Sequence, residues 1–293
     1  MTEKKQDNAI AWLLILLLAL IWGSSFILMK RGLKSFTFDE VAALRMFSAF
    51  IVIIPFAFRN FKEIKSHQWK YIFASGMLGN MIPAFLFPFA QTMVASSMAG
   101  MLNSLTPVFV LLIGKFVFGI STKRSAIYGV ALGLAGAIAL ILIRTQGAIG
   151  SNPAYGLYIV LACIMYAISV NILRTHLHDL NPVVITGFAL MFAGVPCGIY
   201  LFSTDFISRI SSQPEGWESF SAIVTLGILG SGLSTVLFNR LLKITTALAA
   251  SSVTYLIPIV SILWGLWDYE IIGVYHLLAM TGILGGVYLI NKK

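Results

Sequence analysis

Apolar residues run along this chain in ten long blocks separated by short polar breaks. The first five extend from Ala9 to Met29, Glu40 to Phe58, Trp69 to Phe89, Ala95 to Phe118 and Ser125 to Ile143. The second five extend from Ala154 to Leu173, Pro182 to Phe202, Ser219 to Leu241, Leu248 to Trp267 and Ile271 to Ile290. Each block is close to the ~20 residues of helix that cross a hydrocarbon layer about 30 Å thick. The pattern predicts an all-α integral membrane protein with ten transmembrane helices. Short breaks make consecutive helices antiparallel, and the longest, Ser203 to Glu218, is too small to fold as a domain. The start resembles a signal peptide, Lys4-Lys5 before an apolar run. That run continues past the usual length to Trp22 and Phe26 without a clean cleavage site, which predicts an uncleaved first span.

The text is also written twice. Gly76-Met77-Leu78-Gly79-Asn80 returns 151 residues later as Gly227-Ile228-Leu229-Gly230-Ser231. In the same register Leu105-Thr106-Pro107-Val108 returns as Leu256-Ile257-Pro258-Ile259, and Gly114 returns as Gly265. At a different offset, Trp22-Gly23-Ser24-Ser25 pairs with Tyr166-Ala167-Ile168-Ser169, and Lys30 with Arg174. The second and seventh spans match least well. This predicts two five-helix units, residues 1–147 and 148–293. Five is odd, so the second unit enters the membrane from the opposite side. Inverted repeats of this kind build carriers that expose a midplane site to each side in turn.

Composition and charge sharpen the class. The 293 residues are 58% hydrophobic and only 11% charged, with mean hydropathy +0.90. A soluble domain has about 25% charged residues, so the surroundings are a lipid bilayer. A net charge of +9 would point to nucleic acid in a soluble chain. Here the basic residues sit at loop ends, as the positive-inside rule expects, and nucleic acid is set aside. With the N-terminus inside, thirteen lysines and arginines fall on the inner side and five on the outer. Both termini are thus expected in the cytoplasm, in an inner (plasma) membrane. Lys30, Arg31 and Lys34 dissent from the first outer loop.

Several of these residues, taken in order, resemble the EamA-type branch of the drug/metabolite transporter superfamily. They are Trp22-Gly23-Ser24-Ser25-Phe26 with Lys30, Leu44-Arg45-Met46, the mid-helix prolines Pro107 and Pro258, and the glycine-rich closing helices. The resemblance covers essentially the whole chain. It implies a ten-helix carrier of small organic metabolites, often an exporter, with a cavity lined by helices 1, 3, 4, 6, 8 and 9. The family's glycine-glutamate close after the fourth helix of each unit is altered here, to Gly119-Ile120 and Tyr269-Glu270.

Candidate chemistry lies near mid-bilayer. A proline lacks the amide proton that would bond the carbonyl four residues back. Pro107 and Pro258 therefore free the carbonyls of Asn103 and Thr254, a pattern tolerated where backbone lines a cavity. Asn80, Ser231 and Ser234 flank the repeated glycines. Trp22, Ser25, Tyr166 and Tyr255 complete the expected substrate-binding set. Every Asp and Glu lies in a tail, a loop or a helix end, which argues against an embedded carboxylate relay. Arg45, about two turns into the second span, reads as a snorkelling structural charge or as an attractor for a substrate carboxylate, with the structural role preferred. His176 and His178 lack further ligands, and no metal, cofactor or enzyme motif is found. The glycines of the fifth and tenth spans read as a seam between the halves or in a homodimer.

These residues point to a secondary transporter of a small neutral or zwitterionic metabolite, an amino acid or a related compound. The alternatives are a carrier of anionic or nucleotide-like solutes and a non-transporting, lipid-handling membrane protein.

Overall fold

The computed structural model describes residues 2–59, 61–120, 124–143, 152–245, 250 and 253–291. All regular structure among them is helical. Seven helices are long and apolar enough to cross a membrane. They are α1 (Thr2–Gly32), α2 (Phe38–Phe58), α3 (Ser66–Gln91), α4 (Ser96–Phe116), α6 (Gly156–His176), α7 (Pro182–Leu201) and α8 (Gly216–Ile244). Three shorter apolar helices are α5 (Arg124–Leu142), α9 (Val253–Trp267) and α10 (Val274–Asn291). The 147/148 boundary and the expected start of the ninth span at Leu248 lie outside the described residues. So do the side chains of Lys4, Lys5, Lys123, Arg124, Arg144, Lys292 and Lys293, all of which entered the orientation count.

The weakest sequence match, the second span with the seventh, is clarified by helix starts. At the head of α2 the Thr37 amide donates to Glu40 Oε2 at 3.0 Å. At the head of α7 the Asn181 side chain accepts from the Val183 amide at 2.9 Å, with Pro182 as the first helical residue. Both are N-terminal signals that satisfy amides the helix leaves unbonded. Thr37 and Asn181 share the offset that relates Trp22 to Tyr166, so one register covers α1–α2 and α6–α7.

The repeated Gly-x-x-Gly text has its own geometry. Met77–Met81 in α3 and Leu226–Leu233 in α8 are both π-helical. A π-turn widens the helix and leaves carbonyls off the regular ladder, a device frequent at functional sites. Glycines at these stretches let neighbouring backbone approach more closely than a side chain would allow. A Cβ on Gly76 would stand 2.5 Å from the Ala189 carbonyl oxygen of α7, and one on Gly227 2.6 Å from the Arg45 carbonyl oxygen of α2.

Helix α2 packs along α7, α4 against α9, and α5 along α10. Replacing each of the first five helices by its counterpart in the second set carries α1·α9 onto α6·α4. It also carries α1·α8 onto α6·α3 and α2·α8 onto α7·α3. The glycines of α5 and α10 bring two backbones together: a Cβ on Gly129 would meet the Gly286 oxygen at 2.6 Å, and one on Gly136 the Ala279 oxygen at 2.7 Å. This seam lies inside one chain. On the outside, Trp12, Leu13, Leu16 and Leu20 of α1 remain exposed. An apolar belt of this kind belongs in hydrocarbon and not in water.

After α4 and α9 the chain turns through left-handed residues, Gly119 (φ +67°) and Tyr269 (φ +58°). Gly119 adopts this at little cost, whereas a side chain costs roughly 1–2 kcal/mol there. Tyr269 thus occupies the backbone position of the missing glycine, and it delivers Glu270 into the bundle.

Candidate functional site

A cavity of about 170 Å³ lies between the two sets of helices. Seven of the sequence candidates line it: Trp22, Ser25, Asn80, Asn103, Tyr166, Ser231 and Thr254. Pro107, Ser234, Tyr255 and Pro258 do not. The lining comes from helices α1, α3, α4, α6, α8 and α9, joined by α2 and α7. Ten pairs of lining residues occupy equivalent places in the two halves. Trp22 pairs with Tyr166, Ser25 with Ser169, Phe26 with Val170, Met29 with Leu173 and Arg45 with Ala189. Gly79 pairs with Gly230, Asn80 with Ser231, Phe87 with Phe238, Asn103 with Thr254 and Thr106 with Ile257. The repeat was legible in the sequence; that it surrounds one cavity from both sides is the structural finding.

The candidates outside the lining shape it from behind. Pro107 and Pro258 are buried, and their effect is on the carbonyls they free. The Asn103 carbonyl accepts from Thr106 Oγ1 at 2.8 Å, and the Thr254 carbonyl from Ser104 Oγ at 3.4 Å. Helix α4 breaks between Asn103 and Thr106. Ser234 is fully buried and accepts from the Trp22 indole Nε1 at 2.9 Å. The same indole N–H reaches the π-turn carbonyl of Gly230 at 3.0 Å. Trp22 also packs on Phe238 with ring centres 5.2 Å apart. Its apolar body is fixed in the cavity wall by its polar handle. Ser75 and Ser169 share a hydroxyl bond of 2.9 Å across the α3–α6 contact, and Asn239 donates to Thr186 at 3.1 Å.

Of the two readings open for Arg45, the structure does not support the snorkelling one. The side chain does not run along the lipid face: it is 8% exposed and turned into the cavity. Its Nε donates to Ser231 Oγ at 2.7 Å, its Nη1 lies 3.8 Å from the Met29 sulfur, and the Tyr166 side chain lies beside it. No carboxylate pairs with it among the described residues. Ala42 and Ala49 share a helical face with Arg45, and both are buried. They are apolar like nearly all of α2, so they mark that face as the inward one only once the packing is known.

Beyond the lining residue Met29, the end of α1 carries a cluster of charges. Lys30 at the end of α1 meets Asp268 at 2.6 Å and Glu270 at 2.7 Å, and Arg31 meets Asp268 at 2.8 Å. Glu270 also caps the start of α4: Oε1 accepts from the Ser96 amide and hydroxyl at 2.9 and 2.7 Å, and Oε2 from the Ser97 amide at 2.9 Å. A carboxylate at a helix N-terminus meets free amides and the positive end of the dipole. Burial alone would push the Glu270 carboxyl up, but hydrogen bonds from Lys30, Ser97 and Ser96 outweigh it and hold it below its ordinary value. Around this clasp Lys34 pairs with Glu215 and Arg209 with Glu40. The three dissenting cations of the orientation count are therefore all neutralised by acids. At the opposite end Arg174, the counterpart of Lys30, makes no ion pair among the described residues, and Ile120 offers no acid where the second half has Glu270. Toward that end the lining continues through Leu173, Thr186 and Asn239.

Known proteins agree with this architecture. A family model described as the EamA-like transporter family matches residues 9–142 and 154–292. The chain is 24% identical to an uncharacterized transporter of Archaeoglobus fulgidus, over 96% of this chain and 99% of that one. It is 26% identical to the uncharacterized inner membrane transporter YedA of Escherichia coli K12, over 85% of this chain and 79% of YedA. A WAT1-related chloroplastic protein of Arabidopsis thaliana is 22% identical over 98% of this chain and 70% of its own. A crystal structure 19% identical in sequence shares the fold with a TM-score of 0.64, over 95% of both chains.

Proposed function

The chain belongs to the EamA-like transporter family, and from that premise we propose a secondary transporter that moves a small organic metabolite through the central cavity by alternating access. The substrate is a neutral or zwitterionic compound, with amino acids and their relatives as the first class. The ten apolar helices span an inner membrane as two inverted five-helix repeats, with both termini in the cytoplasm. The observation that carries this reading is the ten-pair lining. A cavity built from equivalent positions of two inverted units lies on the axis that exchanges them, where a rocking motion can open it to either side.

In this reading the ionic clasp of Lys30, Arg31, Asp268 and Glu270 closes the outer end. The inner end has no matching acid. Movement of one helix set against the other breaks the clasp and exposes the cavity outside. The transporter names of the relatives and the absence of a catalytic constellation in the sequence favour transport over an enzyme.

Counterflow in proteoliposomes tests the function. Vesicles loaded with an unlabelled amino-acid mixture are expected to draw in a labelled member faster than unloaded ones. Folded Trp22→Ala and Asn103→Ala variants are expected to lose roughly tenfold or more of that stimulation, since removal of one well-placed contact costs a factor of this order. Equal entry into loaded and empty vesicles for every amino acid would exclude the substrate class.

A further inference from the structure

We infer that Arg45 is the anion-binding group of the cavity, and that the charge recognised on the substrate is a single carboxylate. The inference rests on the transport reading above and names the chemistry of its substrate. Ten pairs of positions line the cavity, and among the described residues one pair carries a charge, on one side: Arg45, whose counterpart in the second half is Ala189. Arg45 is buried. Nε is committed to Ser231 Oγ at 2.7 Å, and that bond fixes the plane of the guanidinium. Its Nη1 lies 3.8 Å from the Met29 sulfur, a weak acceptor, and the neutral Tyr166 side chain is its other polar neighbour.

A guanidinium in this setting has lost its water without gaining a counter-ion, and a buried charge is retained where something pairs with it. A carboxylate is planar, carries one negative charge, and can take two parallel N–H bonds from the guanidinium edge. Among the described residues Arg45 is the only charged one in the lining. A monoanion therefore brings the site to neutrality, whereas a phosphate dianion would leave one charge unpaired in the bilayer. Trp22, Phe87 and Phe238 form the apolar part of the same wall, and a space of about 170 Å³ suits a compact branched or aromatic body. Among the described residues no acid in the lining answers an ammonium group. The α-amino group of an amino acid is thus dispensable and the carboxylate is not.

The test is ligand-induced thermal stabilisation of purified full-length protein in detergent, with four compounds of one skeleton. These are phenylalanine, 3-phenylpropanoate, phenylalanine amide and 3-phenylpropanamide, with the leucine series run in parallel. Both carboxylates of a series are expected to stabilise the parent, at concentrations at least tenfold below those at which either amide acts. Arg45→Met is expected to abolish the preference for acid over amide. Arg45→Lys keeps the charge but not the planar fork, and is expected to keep the preference with about tenfold weaker binding. The acid-to-amide ratio in the parent needs no variant, so misfolding of Arg45→Met leaves the test intact. Equal action of acid and amide, action of the amino compounds alone, or no carboxylate effect in the parent would overturn the inference. Counterflow of an amino-acid amide would then still support a carrier, while its absence for every compound would remove the transport reading as well.

Discussion

Replacing Glu270 with glutamine is expected to destabilise the protein by about 3 kcal/mol, the scale seen when one partner of a buried ion pair is lost. The shape of the side chain is kept, so the loss is electrostatic. Lys30 loses its 2.7 Å partner and retains Asp268, and the amides of Ser96 and Ser97 lose a full negative charge at the head of α4. The effect has a signature in pH. Because the folded protein holds the Glu270 carboxyl below its ordinary value of 4.5, its contribution is complete above that value and is lost as pH falls through the lower folded value. Melting curves of parent and Glu270→Gln should lie apart at neutral pH and converge in acid. Parallel curves at all pH values would place the stabilisation elsewhere.

Gly286→Val is expected to be at least as severe. A Cβ at Gly286 would stand 2.5 Å from both the Gly129 oxygen and the Gly133 nitrogen. Both are backbone atoms, so no rotamer relieves the clash and α5 must separate from α10. Overpacking costs about 1–3 kcal/mol where side chains can shift, and more where they cannot. The expected result is loss of monodisperse protein on extraction. The neighbour supplies the control. A Cβ at Gly285 meets only the Leu132 Cδ2 at 3.4 Å, so Gly285→Ala should be extracted like the parent. If Gly286→Val behaved as Gly285→Ala does, the α5–α10 seam would not be a backbone contact.

Much of this architecture could be read from one sequence because membrane helices carry long, uniform apolar runs and the duplication preserved its register. Gly76 and Gly227, Asn80 and Ser231, Asn103 and Thr254 were paired in the text, and the structure places the polar pairs around one cavity. What the text hid was rotation. In α2 nearly every residue is apolar on every side, so no polar face shows which way Arg45 points, and its inward direction emerges only when α7 and α8 pack against the helix. Glu270 was hidden for the opposite reason. It reads as a loop acid, yet the left-handed turn at Tyr269 carries it inward onto Lys30 and α4. The π-turns also left no signature beyond the glycines, since hydrogen-bond spacing within a helix has no residue code. Seven of the ten expected spans are long enough to cross a membrane within the described residues, and α5, α9 and α10 are the shorter apolar helices.

The central claim, that one cavity is reached from both sides in turn, is tested most directly by sided labelling of Asn80→Cys with a membrane-impermeant maleimide. The native Cys163 and Cys197 are buried, and the parent protein provides the unlabelled reference. In the resting protein the account predicts labelling from the cytoplasmic side only, because the clasp at Lys30 and Glu270 closes the outer end. In the Glu270→Gln background, labelling from outside should appear and labelling from inside should fall. Labelling confined to one side in both proteins, or equal from both sides at rest, would contradict alternating access through this cavity.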